Sequence, residues 1–308
     1  TVEIQTVLPG STASSLGIKA NDKLISLNQK PIKDFTNLLS LLSEISVGDD
    51  MTMVVKRGKK HKTLKGRMIG RPREKSKIAI VDYGEVSWNN QRMRSITHIP
   101  NSVANKKGKS PTIFFLQGYT CGSIDYAMVP NATTVQLINQ FVAAGFIVHR
   151  VEKLGVGESE GSLKCSNVDF STEVNGFTAG LRELKTKDFV NENQIYLWGH
   201  SLGVLFAPAM AKQEKVAGII GYGGVLKPWY QYMLDIYNKQ AIKYFGTTKS
   251  TAANNVKTIK PFMNDWLNTD KSWHQVLNNQ DAVNSNLIPI NGEQVFHRHY
   301  TFFRDANR

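Results

Sequence analysis

Apolar residues follow two rhythms along the chain, and the change falls near residue 78. Before it they come in short runs. Val2, Ile4 and Val7 fit an edge strand, Pro9-Gly10 marks a turn, and Leu24-Ile25-Ser26-Leu27 reads as a second strand closed by Asn28-Gln29-Lys30-Pro31. Phe35, Leu38, Leu39 and Leu42 recur at helical spacing behind Asp34, a residue suited to cap a helix. Residues 51–56 alternate apolar with polar, as a half-buried strand does, and Arg57-Gly58-Lys59 reads as a hairpin tip. These signals predict a small β-rich domain over 1–70. Residues 71–77 are charged, broken by Pro72 and almost free of apolar side chains, which predicts a linker.

From Ile78 the runs lengthen and alternate in kind. Residues 78–100 predict a two-stranded hairpin, and 112–116 a short apolar strand. Residues 132–144 read as a helix with Val135, Ile138 and Val142 on one face and Gly145 as its stop. A strand over 146–151 follows, then a helical stripe of Phe170, Val174, Phe177, Leu181 and Leu184. Residues 195–198 read as strand, 202–211 as helix and 216–222 as strand. Such alternation predicts an α/β domain over 78–308, a parallel sheet with helices on both faces. Residues from about 226 to 298 break the pattern. They are polar, aromatic and rich in Asn, with a helical segment at 229–245, and read as a helical cap inserted over the sheet.

Charge changes this picture in one place. The net charge is +13, yet residues 56–77 hold 11 Lys/Arg against Glu74 alone. The basic character therefore belongs to the first domain's last strand and the linker. It reads either as a solvated surface or as a contact for an anionic surface such as lipid headgroups. No aromatic residue lies in that stretch to stack on bases, so nucleic acid is not an expected partner. No run of about 18 apolar residues predicts a transmembrane helix. The seven histidines form no H-E-x-x-H or Cys/His cluster, so neither a metal nor another cofactor is expected. The chain begins with Thr1 and is silent about any leader.

The first domain resembles a PDZ domain of the kind attached to bacterial envelope proteases. The residues that carry the likeness are Leu8-Pro9-Gly10-Ser11, Ala13, Leu16-Gly17-Ile18, Asp22-Lys23-Leu24-Ile25-Ser26-Leu27-Asn28 and Val54-Val55-Lys56-Arg57-Gly58. The resemblance implies capture of a peptide C-terminus by strand addition along residues 1–7. The glycine-rich loop that takes the carboxylate in that family is expected just before Thr1.

Two G-x-S-x-G matches occur, at Gly157-Glu158-Ser159-Glu160-Gly161 and at Gly199-His200-Ser201-Leu202-Gly203. A nucleophilic serine needs an apolar strand running into a sharp turn and then a helix, so that its hydroxyl projects at the strand end. Ser201 has that context, with Gln194-Ile195-Tyr196-Leu197-Trp198 before it and an apolar helix after it. Ser159 sits between two carboxylates that would oppose a developing oxyanion, and no strand enters it. The backbone N–H of Leu202, and that of Tyr119 in the turn after Phe114-Phe115-Leu116-Gln117-Gly118, are the expected oxyanion donors. On these stretches, together with Glu152 to Gly161, residues 78–308 resemble the α/β-hydrolase family. The resemblance implies an ester, thioester or amide hydrolase acting on a small acyl substrate through an acyl-enzyme on Ser201. A PDZ-assisted serine peptidase and an inert scaffold are the alternatives.

In that family the acid and then the histidine follow the nucleophile on later core strands. Glu293 with His297 offers a weak local candidate. The stronger expectation is that both partners lie beyond Arg308, with the last core strands, leaving this chain nearly inactive. Cys121 follows the first oxyanion turn and Cys165 follows the Gly155–Gly161 loop, over adjacent strands. A disulfide and two free thiols stand as equal readings. A disulfide would fit a periplasmic or secreted setting.

Overall fold

The computed structural model describes residues 2–104 and 108–307. Thr1, the first residue of the expected peptide-binding edge, and Arg308 lie outside the described residues. The chain divides into two compact units, one of residues 1–75 with 125–132 and one of the remainder.

The first unit contains β1 (Val2–Glu3), α1 (Thr12–Ser15), β2 (Lys23–Leu27), β3 (Lys30–Pro31), α2 (Phe35–Ser43), β4 (Asp50–Arg57) and β5 (Lys60–Arg67). Its antiparallel sheet runs β1-β2-β4-β5, with β3 paired to β2. Asp34 caps α2 by accepting from Asn37 N–H at 2.8 Å. The helix buries Leu38 and Leu41, while Phe35 and Leu39 face solvent, so its buried face is rotated from the one the apolar spacing predicts. The expected first strand is shorter than its apolar pattern, with only Val2–Glu3 laddered to β2. Arg57 does more than end a strand. Its guanidinium grips the buried Asp22 carboxylate through two hydrogen bonds of 2.7 Å and also reaches the Gly17 carbonyl at 2.8 Å. That pairing, ahead of any other cause, holds the Asp22 carboxyl below its usual range. The basic edge strand β5 is exposed almost throughout. Such lysine-rich edges discourage further strand pairing.

The second unit opens with the hairpin β6 (Ala79–Trp88) and β7 (Gln91–Pro100), then α3 (Asn101–Ala104) and β8 (Ser110–Leu116). There follow α4 (Thr133–Ala143), β9 (Ile147–Val151), α5 (Phe170–Lys185), β10 (Val190–His200), α6 (Gly203–Ala211) and β11 (Gly218–Tyr222). The six-stranded sheet has the order β11-β10-β8-β9-β7-β6. Its four strands β11, β10, β8 and β9 are parallel, and the hairpin adds two antiparallel strands at one edge. This is a mixed α/β sheet whose parallel half carries the nucleophile candidate. At the other edge β11 has no partner beyond β10 among the described residues, and its apolar side chains Ile219 and Ile220 are 44% and 40% exposed.

The segment expected as a cap packs against the same core. It contains α7 (Trp229–Asp235), α8 (Ala241–Phe245), α9 (Lys249–Asn268), α10 (Trp273–Val276), α11 (Gln280–Asn284) and α12 (Tyr300–Ala306). A small sheet of β12 (Ile290–Asn291), β13 (Gln294–Val295) and β14 (Arg298–His299) lies among them. Trp266, Phe262, Phe302 and Phe303 of this segment join one buried cluster with Phe177, Leu181 and Phe206 of the α/β part. Aromatic burial of this size unites the two regions. The helix expected over 229–245 is interrupted by a π turn at Ile236–Gln240.

Candidate active site

The turn from β10 to α6 is built around two glycines. A Cβ on Gly199 would lie 2.5 Å from the Gly203 carbonyl oxygen, and one on Gly203 would overlap the Leu116 carbonyl of β8. Strand and helix therefore approach as closely as backbone allows. Ser201 between them has φ 54°, a left-handed conformation that costs a non-glycine residue roughly 1–2 kcal/mol. Its N–H donates to Tyr222 O of β11 at 3.2 Å and its carbonyl accepts from Val204 N–H of α6 at 3.2 Å, so the neighbouring strand and the following helix hold the strained residue. The hydroxyl stands at the C-terminal end of a parallel strand, in front of a helix N-terminus that favours negative charge.

The β8 exit turn lies against it. A Cβ on Gly118 would come within 3.1 Å of Ser201 Cβ and 3.3 Å of Ser201 Oγ. A side chain at this position would crowd the hydroxyl and push Ser201 by a few tenths of an ångström. Among the described residues no acceptor engages the backbone N–H of Tyr119 or of Leu202. Tyr119, Ser201 and Leu202 line one cavity of about 190 Å³, whose other walls are largely aromatic and aliphatic side chains, among them Trp229, Tyr232, Tyr237, Phe296 and Phe303. The residues that the cap segment contributes here carried no sequence signal beyond their aromatic character.

The second G-x-S-x-G sits in a different role. The Ser159 hydroxyl accepts from Arg94 N–H of β7 at 3.0 Å. Glu160 and Arg92 exchange backbone hydrogen bonds of 2.7 and 2.9 Å, and their side chains also pair. Glu158 pairs with Arg94 at 2.6 Å. The loop is stitched to a strand through the carboxylates that flank the serine.

No imidazole is hydrogen-bonded to Ser201 Oγ among the described residues, and none lines its cavity. The seven histidines are accounted for elsewhere. His61, His274 and His297 are exposed. His200, next to the serine, turns its ring onto Tyr222 at a centroid distance of 4.7 Å. His98 and His149 are pulled down to about 3, chiefly by burial, with Thr97 Oγ1 2.9 Å from His149 Nδ1. His299 Nε2 lies 3.5 Å from Glu293, which is 71% exposed. The Glu293–His297 candidate is thereby overturned. A tight turn with His297 at φ 63° directs Glu293 to His299 instead, on a three-stranded sheet separate from the main one.

Cys121 and Cys165 form a disulfide with a Cα–Cα distance of 5.8 Å. It joins the segment after the Gly118 turn to the segment after the Gly155–Gly161 loop.

Comparison with known proteins separates the two units. Residues 1–66 match the family model of the PDZ domain, and the N-terminal unit is a PDZ domain. The chain is 29% identical over 113 residues to a probable serine protease do-like of Buchnera aphidicola subsp. Acyrthosiphon pisum. That match takes in 34% of this chain and 24% of the other protein's length. Among solved structures, the α/β hydrolase GrgF of Penicillium sp. sh18 superposes on 57% of this chain and 55% of its own, at 17% identity and a TM-score of 0.41. Acetyl xylan esterase 1 of Thermoanaerobacterium sp. JW/SL YS485 superposes on 68% of this chain and 64% of its own, at 16% identity and a TM-score of 0.41.

Proposed function

We propose that the second unit is a serine hydrolase of the α/β-hydrolase type that cleaves an ester, thioester or amide through an acyl-enzyme on Ser201. The observation that carries this reading is the strained Ser201 at the β10–α6 junction, which lines an apolar cavity with Tyr119 and Leu202, whose backbone N–H groups are unengaged among the described residues. In the reaction Ser201 Oγ attacks the acyl carbon and its proton passes to a base. The carbonyl oxygen becomes an oxyanion held by the N–H groups of Tyr119 and Leu202, and collapse expels the alcohol, thiol or amine. Water then repeats the sequence on the acyl-enzyme. A cavity of about 190 Å³ with aromatic walls suits a compact apolar acyl group.

The base and its orienting acid are not found at Ser201 among the described residues. Among the described residues β11 pairs only with β10, which leaves an apolar sheet edge beside the nucleophile. The disulfide supports an oxidising compartment, periplasmic or extracellular. A PDZ-assisted peptidase is the second reading, favoured by the PDZ match at the N-terminus.

A biotinylated fluorophosphonate should label the intact protein on the peptide containing Ser201, and Ser201→Ala should abolish the label. The isolated 308-residue chain should hydrolyse p-nitrophenyl esters at no more than a trace rate. Unlabelled Ser201 in the intact, folded protein would leave an inert scaffold as the answer.

A further inference from the structure

Three ionised side chains are buried together behind the Gly118–Tyr119 turn. Lys153 follows β9, Glu173 lies in the first turn of α5 and Arg298 opens β14, with side-chain exposures of 0%, 2% and 1%. Lys153 Nζ meets Glu173 Oε1 as an ion pair at 2.6 Å, and Arg298 NH2 donates to Glu173 Oε2 at 2.5 Å. Two cations share one carboxylate, so the cluster holds an excess positive charge where burial makes charge expensive. The excess is directed at backbone. Lys153 Nζ donates to the Gly118 carbonyl at 2.6 Å, and Arg298 NH1 donates to the Tyr119 carbonyl at 2.7 Å. Arg298 also covers the Phe302 ring at 3.6 Å, which fixes its plane.

A trans peptide is planar, with its N–H antiparallel to its C=O. The peptide joining Gly118 to Tyr119 turns its oxygen to Lys153, so the Tyr119 N–H points the other way. Tyr119 and Ser201 line the same cavity. A cation on the carbonyl also polarises the peptide and strengthens its N–H as a donor. We propose that Lys153, anchored by Glu173 and seconded by Arg298, is a positioning residue that aims and polarises the Tyr119 N–H toward the oxyanion formed on Ser201. The inference rests on Ser201 being the nucleophile, but it concerns a different group and can fail separately.

The charged groups facing Lys153 are Glu173 from α5 and Arg298 from β14. Burial is the largest influence and Arg298 adds to it, while Glu173 opposes both, and the ammonium is brought down to about 8. It is charged at neutral pH and is lost as pH rises through about 8. Donation by Tyr119 should weaken on that alkaline limb.

The test uses the 308-residue chain labelled with carbonyl-13C glycine and 15N tyrosine. Gly118-Tyr119 and Gly221-Tyr222 are the two Gly-Tyr peptides in the sequence, and loss of one signal in Tyr119→Phe identifies the first. Its carbonyl shift should titrate with a midpoint near pH 8 in the wild type, and the titration should vanish in Lys153→Arg, which keeps the charge. In the intact protein, phosphonylation of Ser201 by a fluorophosphonate should slow about 10–100-fold in Lys153→Met, on the scale of a misplaced oxyanion donor. Lys153→Arg should restore most of the rate and remove the alkaline decline.

The wild-type titration needs no variant, so misfolding of Lys153→Met cannot shield the proposal. A Gly118 carbonyl that stays flat from pH 7 through the ordinary lysine range, to about 11, while the chain stays folded overturns it, whether or not Ser201 labels. A titrating carbonyl beside an unlabelled Ser201 upholds the Lys153 contact and sinks the nucleophile reading instead.

Discussion

The loop at Gly157–Gly161 and the turn at Gly199–Gly203 spell the same five-residue pattern, and the fold treats them oppositely. In the first, the serine hydroxyl and the carboxylates on either side of it are engaged. Arg94 N–H bonds the hydroxyl, Glu158 and Glu160 pair with arginines, and the backbone bridges to Arg92. In the second, the serine backbone is strained, its hydroxyl unbonded among the described residues, and the neighbouring N–H groups are open. Satisfied polar groups hold structure together, whereas strained or unengaged ones are retained where chemistry uses them. The pattern alone says nothing. What separates the two serines is whether a strand and a helix converge on them.

The two regions are also tied together, since the Cys121–Cys165 bond links the segment after one oxyanion turn to the segment after the look-alike loop. Cutting that tie is the largest perturbation of the comparison short of removing Ser201 itself. The bond closes a loop with a sequence separation of 44, for which chain entropy gives about 4 kcal/mol. Cys121→Ala with Cys165→Ala should lower the unfolding free energy by roughly that amount in a urea titration. A loss below about 1 kcal/mol would mean the two loops are held by other contacts.

The glycines sharpen the contrast further. A Cβ on Gly203 meets backbone, the Leu116 carbonyl, which cannot move without shifting β8. A Cβ on Gly157 meets the Glu152 side chain at 2.5 Å, and Gly157 has φ 62°. Gly203→Ala should therefore cost about 3 kcal/mol or more, at the upper end of overpacking. Gly157→Ala should cost about 1–2 kcal/mol, mostly the left-handed backbone. Equal losses in thermal melts of the two variants would break the distinction drawn from geometry.

Much of this arrangement is written in local signals. The Ile195–Trp198 run, the small residues around Ser201 and the apolar helix after it each specify one element, and they agree with one another. The α5 stripe of Val174, Phe177, Leu181 and Leu184 is buried as its spacing implies. What stayed hidden depends on long-range contact. Glu173 reads as an ordinary first-turn acid until Lys153 and Arg298, far apart in sequence, close on it. Leu38 and Leu41 face the first unit's core because the sheet, not the helix's own periodicity, chooses the face. The packing of the cap segment was hidden for a similar reason. Its Asn-rich helices carry a weak apolar pattern in sequence, yet their few large aromatics join them to the main core.

The smallest effect bears most directly on the look-alike serine. Ser159→Ala removes one hydroxyl and leaves Arg94 N–H, part-buried on β7, without its partner. Losing one such hydrogen bond costs about 1 kcal/mol. The backbone bridge between Arg92 and Glu160 and the two side-chain pairs remain, so the loop should keep its place. The variant should melt slightly below the wild type while its fluorophosphonate labelling on Ser201 is unchanged in the intact protein. A fall in labelling larger than about twofold would place Ser159 in the chemistry after all, and the contrast between the two matches would have to be redrawn around both.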